Sequence, residues 1–307
     1  MRMVKKPMKL KLGISVRSLA RDASDIEARI SEVAHYKPNS IELMCFAQDL
    51  IRDEKMLVPR VERIQKSLDD HGIMATMHGP ISLNLLDPPE QLGRHVRAGL
   101  AYIDLGAVLG ITGMVIHTGY CPETDPAALR SRYAAQRDGL KRLADHAGRH
   151  GIVVYVENIF PFFEGAHTAL PGQLAEEIAA IDHPQLLGCF DVSHAYIACT
   201  AYGADLAREA AEIAPVAPHW HVHDSFGRPD TKFKPYTKSE SLAYGIGDLH
   251  LAVGDGDLPW SNVLASAPTM AGSTFNIELN PDLWSDMPHC VAATRQLISD
   301  AVRIKAA

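Results

Sequence analysis

Eight short apolar runs alternate with longer amphipathic segments along nearly the whole chain of 307 residues. In the amphipathic segments, of which 22–36 and 59–72 are examples, apolar residues recur at the spacing of a helix. The apolar runs have strand length and lie at 9–16, 40–46, 74–80, 113–119, 152–159, 186–192, 217–224 and 273–280. Strands that alternate with helices predict a parallel sheet covered by helices. Eight such units without a break predict an α/β fold, a single (β/α)8 TIM barrel in which residues 1–307 form one domain.

The main competing fold is a doubly wound sheet. That fold commonly carries a glycine-rich phosphate-binding turn after its first strand, and no such turn follows KLKLGISV. The runs also begin apolar and mostly end in polar residues, which favours a barrel, because barrel sites lie at the C-terminal strand ends. Asp22 and Asp125 are predicted helix N-caps, and Gly72 and Gly151 are predicted helix ends.

The composition limits the classes of partner. The formal net charge is −7 and the pI is near 6.1, which disfavours nucleic acid, because nucleic-acid binding usually needs a basic face. The five cysteines include no CxxC pair, which predicts reduced thiols and a cytoplasmic protein. The apolar stretch at the N-terminus is too short for a signal peptide, and no segment approaches the roughly 20 apolar residues of a membrane span. The sequence is compatible with both a monomer and a homo-oligomer.

The stretch HWHVHDSFG at 219–227 places histidines at every second position. Alternate side chains of a strand share a face, so His219, His221 and His223 are predicted to point into the barrel. His219 lies deepest and is expected to fill a layer of the barrel core. Glu42 in SIELM also points inward by parity, and we expect it to make a structural ion pair.

The other strand ends carry the same residue types as this stretch. They contribute His78, His117, Glu157, Asp191 and Glu278, while His194 follows Asp191 by three residues and Asp248 and His250 stand in the loop after the seventh run. Imidazole and carboxylate together are the ligands expected for Zn²⁺ or Mn²⁺. So many carboxylates would repel one another unless cations neutralised them. A divalent-metal site that holds one to three ions is therefore predicted.

With these residues, the chain resembles the xylose-isomerase-like TIM-barrel superfamily, which contains sugar and sugar-phosphate isomerases and epimerases together with endonuclease IV. The motifs VENI, FDVSH, HVHDS and IELN match the four-ligand site of that family. The resemblance implies that Glu157, Asp191, His221 and Glu278 bind a metal.

The likeness to the three-metal pattern of endonuclease IV goes further. HGPISLN and VIHTGY match its two histidine motifs, and FDVSHAY and DLHLAVGDG match two others. The resemblance implies five further metal ligands, namely His78, His117, His194, Asp248 and His250.

Other parts of the chain depart from the nuclease. Ile81 stands where the nuclease has a tyrosine that enters the DNA minor groove, and LMCFAQDLIRD lacks its second recognition pattern. HDSFGRPD instead resembles a segment of the isomerases and epimerases, which implies that Arg228 contacts substrate and that His223 and Asp224 lie beside the substrate or the metal. The GDGDLPW turn, with Trp260 packed, is expected to close over the eighth strand.

The resulting hypothesis is a metal-dependent isomerase or epimerase that acts on a small carbohydrate. The metal would polarise a carbonyl and stabilise an enediolate, while Glu157 and Glu278 move the proton between neighbouring carbons. The loops 161–167 and 226–247 are predicted to form the walls of the substrate pocket. Three alternatives stay open: a lyase on a keto-sugar derivative, an abasic-site phosphodiesterase like endonuclease IV, and a non-catalytic barrel stabilised by metal.

Overall fold

Eight parallel strands close into a barrel in the computed structural model, which describes residues 9–306. In barrel order they are β1 (Lys11–Val16), β2 (Ser40–Met44), β3 (Met74–His78), β4 (Gly113–His117), β5 (Val153–Glu157), β6 (Leu186–Asp191), β7 (His219–Val222) and β8 (Thr274–Ile277). Each strand falls inside one of the eight predicted runs. The predicted (β/α)8 TIM barrel is confirmed.

Helices surround the strands. They are α1 (Ile26–Ala34), α2 (Val58–His71), α3 (Pro89–Leu109), α4 (Pro126–Gly148), α5 (Pro171–Ile181), α6 (Val192–Tyr202), α7 (Leu206–Ile213), α8 (Lys238–Tyr244), α9 (Trp260–Ser266) and α10 (Met287–Ala306). Short 3₁₀ turns span Cys45–Ala47, Ala214–Val216 and Pro281–Asp286. Two small antiparallel pairs join Ile51–Arg52 to Lys55–Met56 and Tyr120–Cys121 to His167–Thr168. None of the helices in the described part of the chain combines the length and apolarity needed to cross a membrane.

Two of the four predicted helix boundaries agree with the structure. The Asp125 carboxylate accepts a hydrogen bond from the Ala128 backbone N–H at 2.8 Å, and Gly72 ends α2 in the left-handed conformation. Asp22 is not an N-cap, because α1 begins after Asp25 and the Asp22 carboxylate instead accepts from Ser24 N–H. The helix before Gly151 ends three residues earlier, at Gly148.

The two faces of the strands differ in chemistry. Outward-facing Phe190, Trp220 and Phe275 are fully buried against the helices, and the Trp220 ring stacks on Phe275 with centroids 5.0 Å apart. On the inner face of β7, His219 lies 2.9 Å from the Glu42 carboxylate. His219 thus lies in the barrel core, as expected, and is the structural partner of Glu42. The barrel interior is therefore polar below the rim that carries the candidate metal ligands.

A buried carboxylate holds the long loop after β7 in place. Asp224 accepts hydrogen bonds from Gly254 N–H at 2.9 Å and from the Trp260 indole at 3.1 Å. A Cβ on Gly256 would overlap Ser225 O and the Asp224 carboxylate, so only glycine fits there. Asp224 is thus turned toward the GDGDLPW turn, which corrects the expectation that it lies beside the substrate, and Trp260 is packed as expected.

Candidate metal centre

Four side chains from consecutive strands converge at the C-terminal rim of the barrel. The His221 Nδ1 atom lies 3.2 Å from Glu157 Oε1, 3.5 Å from Glu278 Oε2 and 3.8 Å from Asp191 Oδ2. All four residues are buried. We call this group the central cluster.

Two atoms of the central cluster face each other without a hydrogen bond. Glu157 Oε1 and His221 Nδ1 are buried and have no hydrogen-bond partner, although they lie only 3.2 Å apart. Leaving such buried polar groups unsatisfied is costly. Metal–ligand bonds of about 2.0–2.2 Å place two ligand atoms of one ion roughly 3–3.5 Å apart. The residues present therefore fit a divalent metal.

Local structure fixes the orientation of Asp191. Its Oδ1 accepts a hydrogen bond from His194 N–H at 2.7 Å, which makes Asp191 the N-cap of α6. The Asn158 amide bonds both the N–H and the C=O of Asp191, at 3.0 and 2.8 Å. Its Oδ2 consequently lies between His223 Nε2, at 2.9 Å, and His221 Nδ1 of the central cluster, at 3.8 Å.

The opposite nitrogen of His221 is held by Glu42. His221 Nε2 donates to Glu42 Oε1 at 3.0 Å, and the Thr76 hydroxyl donates to Glu42 Oε2 at 3.0 Å. Carboxylate partners of this kind orient metal-binding histidines. Glu42 thus contacts the central cluster in addition to making the structural pair that the sequence predicts. Its inward parity in SIELM was the sequence feature that could have indicated this contact.

A second cluster adjoins the first through Glu157. The Glu157 Oε2 atom lies 3.2 Å from His78 Nε2 and 3.6 Å from His117 Nε2. One carboxylate therefore faces both clusters and would be available to cations bound at either. We call His78, His117 and Glu157 the second cluster.

A third cluster forms on the other side of Asp191. Asp248 Oδ2 lies 2.7 Å from His250 Nε2 and 3.2 Å from His194 Nε2, and His223 Nδ1 lies 3.9 Å from Asp248 Oδ1. His250 has a positive φ of 49°, an unfavourable conformation for a residue other than glycine. Such strain clusters at functional sites.

The charges of these groups are strongly coupled in the absence of a cation. Burial acts to raise the pKa of Glu157, but His221 and His117 hold it well below its usual range. Burial acts to lower the pKa of His194, yet Asp191 and Asp248 raise it well above the usual value. Imidazole protons thus supply the positive charge that buried carboxylates need, and bound divalent ions would replace those protons.

The structure brings all nine predicted metal residues into three adjoining clusters, and their role as ligands stays a prediction. Of the two predicted substrate contacts, His223 lies in the third cluster and Arg228 lies outside all three clusters. His223 is buried, with Nε2 donating to Asp191 Oδ2 at 2.9 Å. Arg228 is exposed, donates to Tyr244 O at 2.9 Å and packs over Phe226. Neither side chain lines the cavities at the rim.

Two cavities open at the clusters. The smaller, of about 260 Å³, is lined by His78, His117 and Glu157. The larger, of about 590 Å³, reaches Glu278 and extends along the loops. They share seven lining residues, namely Met44, Phe46, Phe160, Phe162, Asp248, His250 and Glu278. Phe162 belongs to the loop 161–167 that the sequence predicts as a wall, and Lys234 and Lys238 belong to the predicted wall 226–247. The sequence interpretation missed Phe46 and Phe160, since apolar residues in loops give no pattern that separates a cavity wall from packing.

The sequence model of the xylose isomerase-like TIM-barrel family matches residues 30–282. This chain belongs to that family. The family membership implied by the strand-end motifs is thus confirmed. A comparison with curated proteins gives no match.

Solved structures share the same fold at low identity. A D-tagatose 3-epimerase-like protein is 19% identical, with a TM-score of 0.69 over 97% of this chain and 100% of that one. An L-ribulose 3-epimerase is 15% identical, with a TM-score of 0.66 over 97% of each chain. A protein from Thermus thermophilus, soaked with ZnCl₂, is 19% identical, with a TM-score of 0.61 over 94% of this chain and 99% of that one.

Proposed function

We propose that this family member is an enzyme, a divalent-metal-dependent isomerase or epimerase of a small ketose or ketose derivative. The observation that carries the proposal is the convergence of Glu157 and Glu278 on His221 Nδ1, where both carboxylates line the smaller cavity. Two structural neighbours, a D-tagatose 3-epimerase-like protein and an L-ribulose 3-epimerase, support the same reaction class.

The two glutamates are suited to move a proton between neighbouring carbons. They project from β5 and from the end of β8, on either side of β6 and β7, so they approach a bound sugar from two directions. One carboxylate removes the proton next to the carbonyl, and the other returns a proton to the product. The Ser15 hydroxyl lies 3.5 Å from Glu278 Oε1 and helps to hold that carboxylate.

A metal at the central cluster would be held by Glu157, Asp191, His221 and Glu278, with Zn²⁺ and Mn²⁺ as the expected ions. When bound, the ion would act as a Lewis acid that stabilises negative charge on the substrate oxygens. Phe46 and Phe160 line both cavities and would exclude water from the reacting carbons.

Hydrogen exchange tests this proposal. Metal-loaded protein in D₂O is incubated with a panel of ketoses, and NMR follows both deuterium incorporation beside the carbonyl and formation of an epimer or aldose. Glu157→Gln and Glu278→Gln are each expected to lower turnover by about 10²–10⁴-fold. The exposed Glu62→Gln on α2 is the matched control. Unchanged turnover in both site variants would refute the proposal, and a dehydrated product would assign the lyase reaction instead.

The three clusters favour one second candidate, an abasic-site phosphodiesterase like endonuclease IV. Against it, the net charge is −7, and Ile81 stands exposed beside the smaller cavity where the nuclease has a tyrosine. DNA binding needs cationic contacts to phosphates. Incubation of metal-loaded protein with a duplex that contains one abasic site is expected to give no cleavage, and efficient cleavage that EDTA abolishes would reverse this ranking.

A further inference from the structure

The larger cavity carries cations beyond the metal clusters. Arg17, Lys234 and Lys238 line the same cavity as Glu278. Arg17 follows β1 directly, two residues after Ser15, whose hydroxyl lies 3.5 Å from Glu278 Oε1. Two residues of extended chain span about 6–7 Å. The backbone of Arg17 therefore lies further toward the barrel mouth than that of Ser15.

Two of these three cations already have carboxylate partners. Lys234 Nζ lies 3.5 Å from Asp230 Oδ2, and Lys238 Nζ lies 3.3 Å from Asp282 Oδ2. Across residues 9–306, the Arg17 guanidinium makes neither an ion pair nor a hydrogen bond. Arg17 is thus the cation of this cavity whose charge the protein leaves unpaired.

The surroundings leave the Arg17 guanidinium accessible to a ligand. Arg17 is exposed and lines the larger cavity. A guanidinium presents its N–H donors in a fixed fork that matches the oxygens of phosphate and carboxylate. The hydroxyls of Ser239 and Ser241 add further donors to this wall.

We propose that Arg17 forms a subsite for an anionic group at the end of the substrate remote from the reacting carbons. The preferred substrate of the proposed isomerase or epimerase is then a ketose that carries a terminal phosphate or carboxylate, not a neutral ketose. This inference rests on the proposed function for the identity of the sugar part, and on Arg17 for the anionic part.

Calorimetric titration of the metal-loaded protein tests the inference without relying on turnover. The three ligands share one carbon skeleton: D-fructose, its 6-phosphate and its 6-carboxylate. We expect the preferred anion to bind at least about tenfold tighter than the neutral sugar, which corresponds to roughly 1.4 kcal/mol. The difference between the 6-phosphate and the 6-carboxylate identifies the terminal group.

Substitutions assign this preference to Arg17. Arg17→Gln is expected to abolish the tenfold preference and to leave the affinity for D-fructose within about twofold. Arg17→Lys keeps the charge without the fork and should retain part of the preference. Lys232→Gln removes an exposed cation that does not line the cavity, so its binding should match the wild type.

The outcomes separate this inference from the proposed function. Tight binding of an anionic ketose without any turnover would support the Arg17 subsite and refute the isomerase proposal. Turnover with equal affinity for neutral and anionic ketoses would support the isomerase proposal and refute the Arg17 subsite. An anion preference that survives in Arg17→Gln, or failure of all three ligands to bind at millimolar concentration, would overturn the subsite.

Discussion

Glu42 Oε1 accepts a hydrogen bond from His221 Nε2 at 3.0 Å, and this bond fixes which nitrogen of the imidazole faces the central cluster. A neutral imidazole has one N–H, so donation from Nε2 leaves the Nδ1 lone pair free. Nδ1 is directed toward Glu157, Asp191 and Glu278, so a cation bound there would replace the Nδ1 proton and take up this lone pair. The positioning carboxylate and the candidate ligand it orients are 179 residues apart in sequence.

Glu42→Gln is therefore expected to weaken metal binding at the central cluster by about 10–100-fold. The amide accepts a weaker hydrogen bond than a carboxylate, and in its flipped orientation it donates to Nε2 and favours the wrong tautomer. Competition of the protein with a fluorescent chelator measures the affinity, and Glu42→Asp should restore part of it. If Glu42→Gln binds metal with wild-type affinity and only its thermal stability is lower, Glu42 contributes to packing and does not position His221.

The number of bound ions should depend on which cluster is altered. Asp248 belongs to the third cluster alone, whereas Glu157 faces both the central and the second cluster. We expect three ions per chain in the wild type, two in Asp248→Asn and one in Glu157→Gln. Elemental analysis after dialysis against metal-free buffer measures the ratio. Equal losses in the two variants would contradict a shared Glu157.

The convergence of the candidate metal ligands could be predicted because barrel topology imposes their meeting place. Parallel strands bring all their C-terminal ends to one rim, so His78, Glu157 and Glu278 need only stand at strand ends of the correct parity to converge. The four residues of the central cluster were grouped by the family resemblance. The division of the other five candidate ligands between the second and third clusters could not be predicted, because it depends on side-chain directions around the rim.

Residues outside the strands were harder to predict. Asp224 and Arg228 follow β7, where the chain leaves the barrel and strand parity no longer fixes direction. Asp224 pairs with Leu251 through two backbone hydrogen bonds and so turns toward the loop. Asp22 was misassigned for a local reason, because its carboxylate closes a turn on Ser24 three residues before α1 reaches its own N-cap.

Removal of metal should lower thermal stability. Ligands that bind only the native state stabilise it, by about 2.7 kcal/mol at a hundredfold excess over Kd. Chelation is therefore expected to lower Tm by roughly 5 °C or more, and re-addition of Zn²⁺ or Mn²⁺ should restore it. Calorimetry of wild type and of the exposed control Glu62→Gln should give the same shift, whereas Glu157→Gln should show a smaller one. An unchanged Tm in the wild type would mean that the buried clusters are neutralised by protons alone.

The turn at Gly256 links loop geometry to the third cluster. A Cβ at this position would overlap Ser225 O and the Asp224 carboxylate, which anchor the loop that carries Asp248 and His250. Gly256→Ala is expected to lower the free energy of unfolding, measured by urea denaturation, by about 1–3 kcal/mol, because the overlapping atoms are held by their own hydrogen bonds.

Gly93→Ala is the matched control, since Gly93 is an exposed position of α3 with only ordinary contacts. It should stabilise the protein by about 0.5–1 kcal/mol. If the loop positions Asp248 and His250, Gly256→Ala will also weaken metal binding at the third cluster, whereas Gly93→Ala will leave that binding unchanged. Loss of stability without weaker metal binding at the third cluster would show that the third cluster does not depend on the turn.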